Sequence, residues 1–181
     1  MAERIVGRQV VWQCPWLSVE EKLVELDGSR GREAFYSVRT PDYVTVLAIT
    51  EDGRVPLVRI FRPAVEELSL ELPAGIVDAG ETPAEAARRE LREETGVAGG
   101  ELVELGCFWA DTGRLQTRAW AYLVHGAHVA GLPDSPDEQL ELVLVDVREL
   151  GSLVVRGELK HAGHVGVLAA AAARGHLSLA P

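Results

Sequence analysis

The stretch that most constrains the fold is "GETPAEAARRELREETG", residues 80–96. It carries its own start and stop. Thr82 is an N-cap, Pro83 suits the first helical position, and Glu85 completes a Thr-x-x-Glu capping box. Gly96 is a natural C′ residue. Ala84, Ala87 and Leu91 form a narrow apolar stripe that can dock on a sheet. The same seventeen residues hold five Glu and three Arg. Glu90 lies three residues from Glu93 and four from Glu94, so all three are neighbours on one helical surface. Two readings compete. The glutamates form a solvated face paired with Arg88, Arg89 and Arg92. Alternatively, they hold a hard divalent cation; no His or Cys lies among them, which disfavours zinc.

The rest of the chain reads as strands around that helix. "RQVVWQ", "EKLVELDG" and "EAFYSVRT" form short alternating stretches in the first forty residues. "YVTVLAIT" and "RVPLVRIF", joined by Asp52-Gly53, predict a hairpin. "LELPAG", "ELVELGCFW", "TRAWAYLVHG" and "LELVLVDV" predict further strands, and a last helix is expected from near Glu158 through "HVGVLAAAAARG". Mixed strands with two helices predict an α/β (α+β) domain, a sheet between helices, preceded by a small N-terminal β appendage. The division expected is residues 1–40 for the appendage and 41–181 for the main domain.

Hydrophobic residues make up 47% and charged residues 25%, so disorder does not dominate. The net charge of −10 argues against a nucleic-acid partner but permits phosphate chemistry through bound cations. No apolar run approaches the length of a membrane span. Cys14 and Cys107 have no paired spacing, which suits a reducing cytoplasm. The spacings His125/His128 and His161/His164 are read as surface or strand-end residues.

Residues 75–97, "GIVDAGETPAEAARRELREETGV", match the Nudix hydrolase box at Gly75, Glu81, Arg89, Glu90, Leu91, Glu93, Glu94, Gly96 and Val97. Nine fixed positions across twenty-three residues make the pattern specific. The chain therefore resembles Nudix hydrolases. The resemblance extends to the ADP-ribose pyrophosphatase branch through "VLAITEDGRVPLVRIFRPAVEELSLELPAG" and "PDEQLELVLVDVREL". It implies a Nudix α/β/α sandwich with a mixed sheet, and a homodimer formed through the appendage. It also implies Mg²⁺, or Mn²⁺, on Glu90, Glu93, Glu94 and the Ala74 carbonyl, with Arg89 and Glu81 orienting them. The activity implied is hydrolysis of a nucleoside diphosphate sugar, ADP-ribose giving AMP and ribose 5-phosphate. The base implied is Glu138 in "LPDSPDEQLEL", with Asp137 and Glu141 as neighbours and Glu93 as the competing proposal. Arg59, Arg62, Glu71 and Trp16 are implied substrate contacts, with Trp12 and Tyr36 as alternatives for base stacking and core packing as the plainer reading of all three aromatics. ADP-ribose enzymes often carry a Ser-Pro-Gly-like loop about fifteen residues past the box. Here "ADTGRLQTRAW" keeps Gly113 but places Thr112 where Pro is expected, and adds Arg114 and Gln116. That departure leaves GDP-mannose and ADP-glucose open, with a non-catalytic nucleotide-binding Nudix module as the reading from another class.

Overall fold

A computed structural model describes residues 4–26, 31–134 and 140–180. The chain forms two compact units: the part up to Asp42 joined by Trp109–Arg118, and Tyr43–Phe108 with the part from Ala119 onward.

The first unit is an antiparallel meander of β1 (Arg4–Gln13), β2 (Ser18–Glu25) and β3 (Arg32–Arg39) in the order β1-β2-β3. Glu21 lies opposite Gln9 on one side and Tyr36 on the other. Cross-strand partners share a face, and both donate to the Glu21 carboxylate, at 2.8 and 2.6 Å. Trp109–Arg118 is stapled to β3. Val38 donates its N–H to the Arg114 carbonyl, and Gln116 donates its N–H to the Val38 carbonyl, each at 2.8 Å.

The second unit contains β4 (Tyr43–Thr50), β5 (Arg54–Arg62), β6 (Glu67–Glu71), β7 (Ala74–Ile76), α1 (Pro83–Thr95), β8 (Val97–Ala98), β9 (Glu101–Trp109), β10 (Arg118–Val129), β11 (Glu141–Asp146), α2 (Leu150–Val155) and α3 (Ala162–Ala173). One sheet runs β7-β4-β10-β8, with β9 also paired to β10; β4 and β10 are parallel. The other is antiparallel, β11-β5-β6.

Alternation along β4 and β10 sorts the core into two layers. Val44, Val46, Ala48, Tyr122 and Val124 pack with Ala86, Ala87 and Leu91 of α1. Leu47, Ala121 and Leu123 point the other way, into a cluster with Val55 and Leu57 of β5, Leu153 of α2 and Leu168 of α3. The result is the expected α/β/α sandwich with a mixed sheet. The stripe on α1 is shifted from the sequence reading: Ala86 is fully buried beside Ala87 and Leu91, while Ala84 only packs at the edge.

Two expectations are corrected. β4 and β5 are both strands, and Gly53 turns between them at φ 78°, but they do not pair as a hairpin. The Thr50 hydroxyl takes the Arg54 N–H at 2.9 Å, and the Gly53 carbonyl accepts from Val147 at 3.0 Å, one position beyond the Asp146–Arg54 pair, so β5 is continued by β11 rather than β4. The strands enter different sheets and meet instead through Leu47 and Leu57 in one core. The last helix starts at Ala162, capped by His161, rather than near Glu158. A separate α2 precedes it, and Gly157 at φ 70° breaks the chain between them.

Candidate active site

The capping box at Thr82 and the left-handed Gly96 fix the length and register of α1 as the sequence implies. That register gathers the glutamates around Arg89. Its Nε and Nη2 donate to both oxygens of Glu81, at 3.0 and 2.9 Å. Nη1 donates to Glu90 at 2.6 Å and Glu93 at 3.2 Å, and Nη2 also donates to the Ile76 carbonyl at 2.9 Å. Asp78 stands 3.7 Å away. The bidentate Glu81 contact is the largest influence holding the Arg89 pKa above its ordinary value, and Arg89 in return holds Glu81 below the usual carboxylate range. The cation thus ties loop 76–81 to the helix.

The loop before α1 closes onto the same carboxylates. Glu94, only 5% exposed, accepts the Ala74 N–H on Oε2 at 2.9 Å. Glu90 lies so close to Gly75 that a Cβ built there would overlap its carboxylate. Any larger residue there would have to push that carboxylate aside. Among the described residues, no three His, Cys, Asp or Glu groups converge as a ready-made metal centre; Glu90 and Glu93 instead share Arg89. The donor set itself fits a hard divalent cation: several carboxylates, no soft ligand, and backbone held at contact distance.

Arg62 and Glu71 come together as a pair in which the carboxylate is buried and the guanidinium half-buried. Arg62 donates through Nε at 3.0 Å and Nη2 at 2.7 Å. Burial pushes the Glu71 carboxyl up most strongly, yet hydrogen bonds from Arg62 and Ser69 outweigh it, and its pKa falls below the ordinary value. Arg59 pairs with Glu141 at 3.0 Å, the two being opposite in the β5–β11 register. Glu138 and Asp137 lie outside the described residues. The segment leading to them is docked on the end of α1: the Glu93 carbonyl accepts from Asp134 at 2.7 Å, and the Gly96 carbonyl accepts from Ala130 and Gly131 at 2.8 and 3.1 Å.

In the other unit, Trp16 is 74% exposed, and Trp12 and Tyr36 are exposed too, so core packing does not describe any of the three. Gly113 turns on its N–H bond to Asp111 at 2.7 Å. Gln116 is committed internally, donating to Glu20 and Ser37 and accepting from Arg39, each at 2.9 Å. Lys22, Arg39, Asp42, Trp109 and Arg118 line a cavity of about 550 Å³ within this unit.

The histidine reading is corrected at His164; His128 and His161 are exposed, as read. His164 is buried and accepts the Leu72 N–H, while His161 caps α3. His125, near the end of β10, meets His176 at 3.2 Å. Neither the His164–Leu72 contact nor the Asp134–Glu93 contact had a local signal; each joins segments distant in sequence.

The NUDIX domain family model matches residues 39–165. An ADP-ribose pyrophosphatase of Bacillus subtilis (strain 168) is 30% identical over 113 residues, 62% of this chain and 60% of that protein. One from Mycobacterium tuberculosis is 32% identical over 119 residues, covering 64% and 58%. The chain thus spans about three fifths of the length of these two curated relatives. A CMP-5'-(N-acetyl-N-hydroxy-3-aminopropyl)phosphonate hydrolase of Streptomyces rubellomurinus is 30% identical over 164 residues, covering 90% and 79%. A solved structure described as an ADP compounds hydrolase superposes with a TM-score of 0.81 at 21% identity, covering 98% of both chains, a likeness of fold.

Proposed function

The chain belongs to the NUDIX family, and from that premise we propose that it is a divalent-metal-dependent pyrophosphohydrolase of nucleoside diphosphate sugars, with ADP-ribose cleaved to AMP and ribose 5-phosphate. The observation that carries this reading is the carboxylate cluster on α1, backed by a glycine with no room for a side chain. Glu90, Glu93, Glu94 and the Ala74 carbonyl would hold Mg²⁺, or Mn²⁺ in its place. For Glu90 and Glu93 this exchanges one positive partner, Arg89, for another. When bound, the cation offsets charge on the phosphate oxygens as the bridge breaks.

The chain's own groups do the rest. Arg89 and Glu81 hold the loop against the helix. Glu138 takes the proton of the attacking water. Four residues before it in sequence, Asp134 is anchored to the Glu93 carbonyl. Glu93 is the alternative base. Arg59 contacts the phosphates, and Arg62 and Glu71 act as one oriented pair at the substrate. Trp16 stacks on the base and Gly113 lets the chain approach the sugar.

The first forty residues act as a dimerising appendage. Val10 and Phe35 are exposed on one face of its sheet and Trp12 and Tyr36 on the other, apolar groups of the kind that take a partner. Cys14 is a free thiol, which suits a cytoplasmic setting. Among the described residues, no helix is long and apolar enough to cross a membrane.

The Streptomyces relative, aligned over most of the chain, favours a second reading of the leaving group: a phosphonate joined to a nucleoside monophosphate. Turnover with Mg²⁺ of ADP-ribose, GDP-mannose, ADP-glucose and a CMP-linked phosphonate separates the two. Preference for ADP-ribose supports the main reading; preference for the phosphonate transfers specificity to the second. Nucleotide binding without any turnover would leave a non-catalytic module.

A further inference from the structure

The crossing from β6 to β7 carries Ala74 toward α1, and it is built with little ladder support. The last paired residue of β6 is Glu71, opposite Val58, and β7 begins at Ala74, opposite Thr45. Leu72 and Pro73 pass between the two sheets with no strand partner of their own. Pro73 has no N–H to satisfy, and its carbonyl accepts from Val46 at 2.9 Å. Leu72 is fully buried, and a buried N–H needs an acceptor. His164 of α3 supplies it, with Nδ1 3.1 Å from the Leu72 nitrogen.

The imidazole is itself held in place. It stacks on His161 with ring centroids 4.0 Å apart, and His161 accepts its backbone N–H at 3.4 Å. Burial is the main influence keeping its pKa down, at about 3, so Nδ1 stays an acceptor and Nε2 carries the proton. The segment is therefore fixed at four successive residues: Arg62 on the Glu71 carboxylate, His164 on the Leu72 N–H, Val46 on the Pro73 carbonyl and Glu94 on the Ala74 N–H. α1 grips one end of the crossing, and α3 grips it two residues upstream.

We propose that His164 is a positioning residue for the cation cradle: its bond to the Leu72 N–H sets where Ala74 meets Glu94. The inference rests on the reading that Ala74 and Glu94 hold the cation. Hydrogen-bonded supports behind a ligand set typically change metal affinity by about 10- to 100-fold when removed. His164 reaches the ligand through the backbone, so the lower end applies.

The test is Mn²⁺ binding to the full chain, followed by electron paramagnetic resonance of the free ion. His164→Leu keeps apolar bulk and removes the acceptor; it should weaken binding about tenfold. His164→Ala removes both and should weaken it at least as much. In His164→Asn, Oδ1 occupies the place of Nδ1, and affinity should return to within about threefold of the parent. Leu168→Ala, on the same helix and equally buried, should lose thermal stability while keeping Mn²⁺ affinity within about twofold. Parent-like affinity in His164→Leu overturns the proposal. So does an equal loss in Leu168→Ala, which would mark general loosening of the core, or a tenfold loss in a folded His164→Asn. A parent chain with no Mn²⁺ site would overturn the metal reading, and this inference with it.

Discussion

Replacing Arg62 by Met should destabilise the protein in a way that depends on pH with a definite sign. The Glu71 side chain is 2% exposed and that of Arg62 39%. Methionine keeps the aliphatic bulk and removes the guanidinium, leaving a buried carboxylate with the Ser69 bond alone among the favourable contacts that matter most to it. Breaking a buried ion pair costs about 3–5 kcal/mol. Water reaches the arginine head here, so about 2–3 kcal/mol applies. For a chain of this size that is a fall in Tm of roughly 4–12 °C. In the parent, the folded pKa of Glu71 lies below its unfolded value. Its contribution is complete above the unfolded pKa and lost as pH falls through the folded one. In Arg62→Met, burial persists without the cation, and the folded pKa moves above the unfolded one. The neutral carboxyl is then tolerated in acid, and the penalty grows as pH rises through the carboxylate range. Thermal unfolding of both proteins between about pH 4 and pH 8 should show a gap that is small in acid and full near neutrality. A gap independent of pH, or wider in acid, would refute the reasoning.

Other substitutions separate folding from the site. Gly75→Ala pushes a Cβ into the Glu90 carboxylate, so Mn²⁺ affinity should fall about tenfold while far-UV circular dichroism is unchanged. Thr82→Ala removes the capping box and should cost about 1 kcal/mol, a Tm loss of roughly 2–4 °C, with kcat kept. Glu138→Gln should lower turnover about 100-fold or more with metal affinity intact; near-parental turnover would move the base role to Glu93.

The sequence makes α1 legible because its signals are local. Thr82, Pro83, Glu85 and Gly96 each act within a turn of the residue they affect, and all four behave as read. The strands were legible for the same reason, from alternation. Their partners were not. Asp52-Gly53 looks like an ordinary hairpin turn, but β5 takes β11 and β6 as its neighbours, partners that lie far along the chain or beyond the next turn. Gly157 marks the end of α2, but Glu158, Leu159 and Lys160 after it read as the start of the next helix, so the true start at Ala162 was not legible. Within the site, box spacing identifies the glutamates. It does not reveal that Arg89 draws Glu81, Glu90 and Glu93 to one guanidinium, because that depends on how loop 76–81 folds back. Arg62–Glu71 spans nine residues and His164–Leu72 spans ninety-two, distances over which residue patterns carry no register.

The central claim is that the α1 carboxylates hold a cation that hydrolysis requires. The most direct measurement is AMP release from ADP-ribose by the parent and by Glu94→Gln, each with Mg²⁺ and with EDTA. Gln keeps an oxygen for the Ala74 N–H, so the fold should survive. The account predicts turnover by the parent with Mg²⁺, none by either protein with EDTA, and with Mg²⁺ a loss of more than about 100-fold in Glu94→Gln. Undiminished AMP release by Glu94→Gln, or by the parent in EDTA, would contradict it.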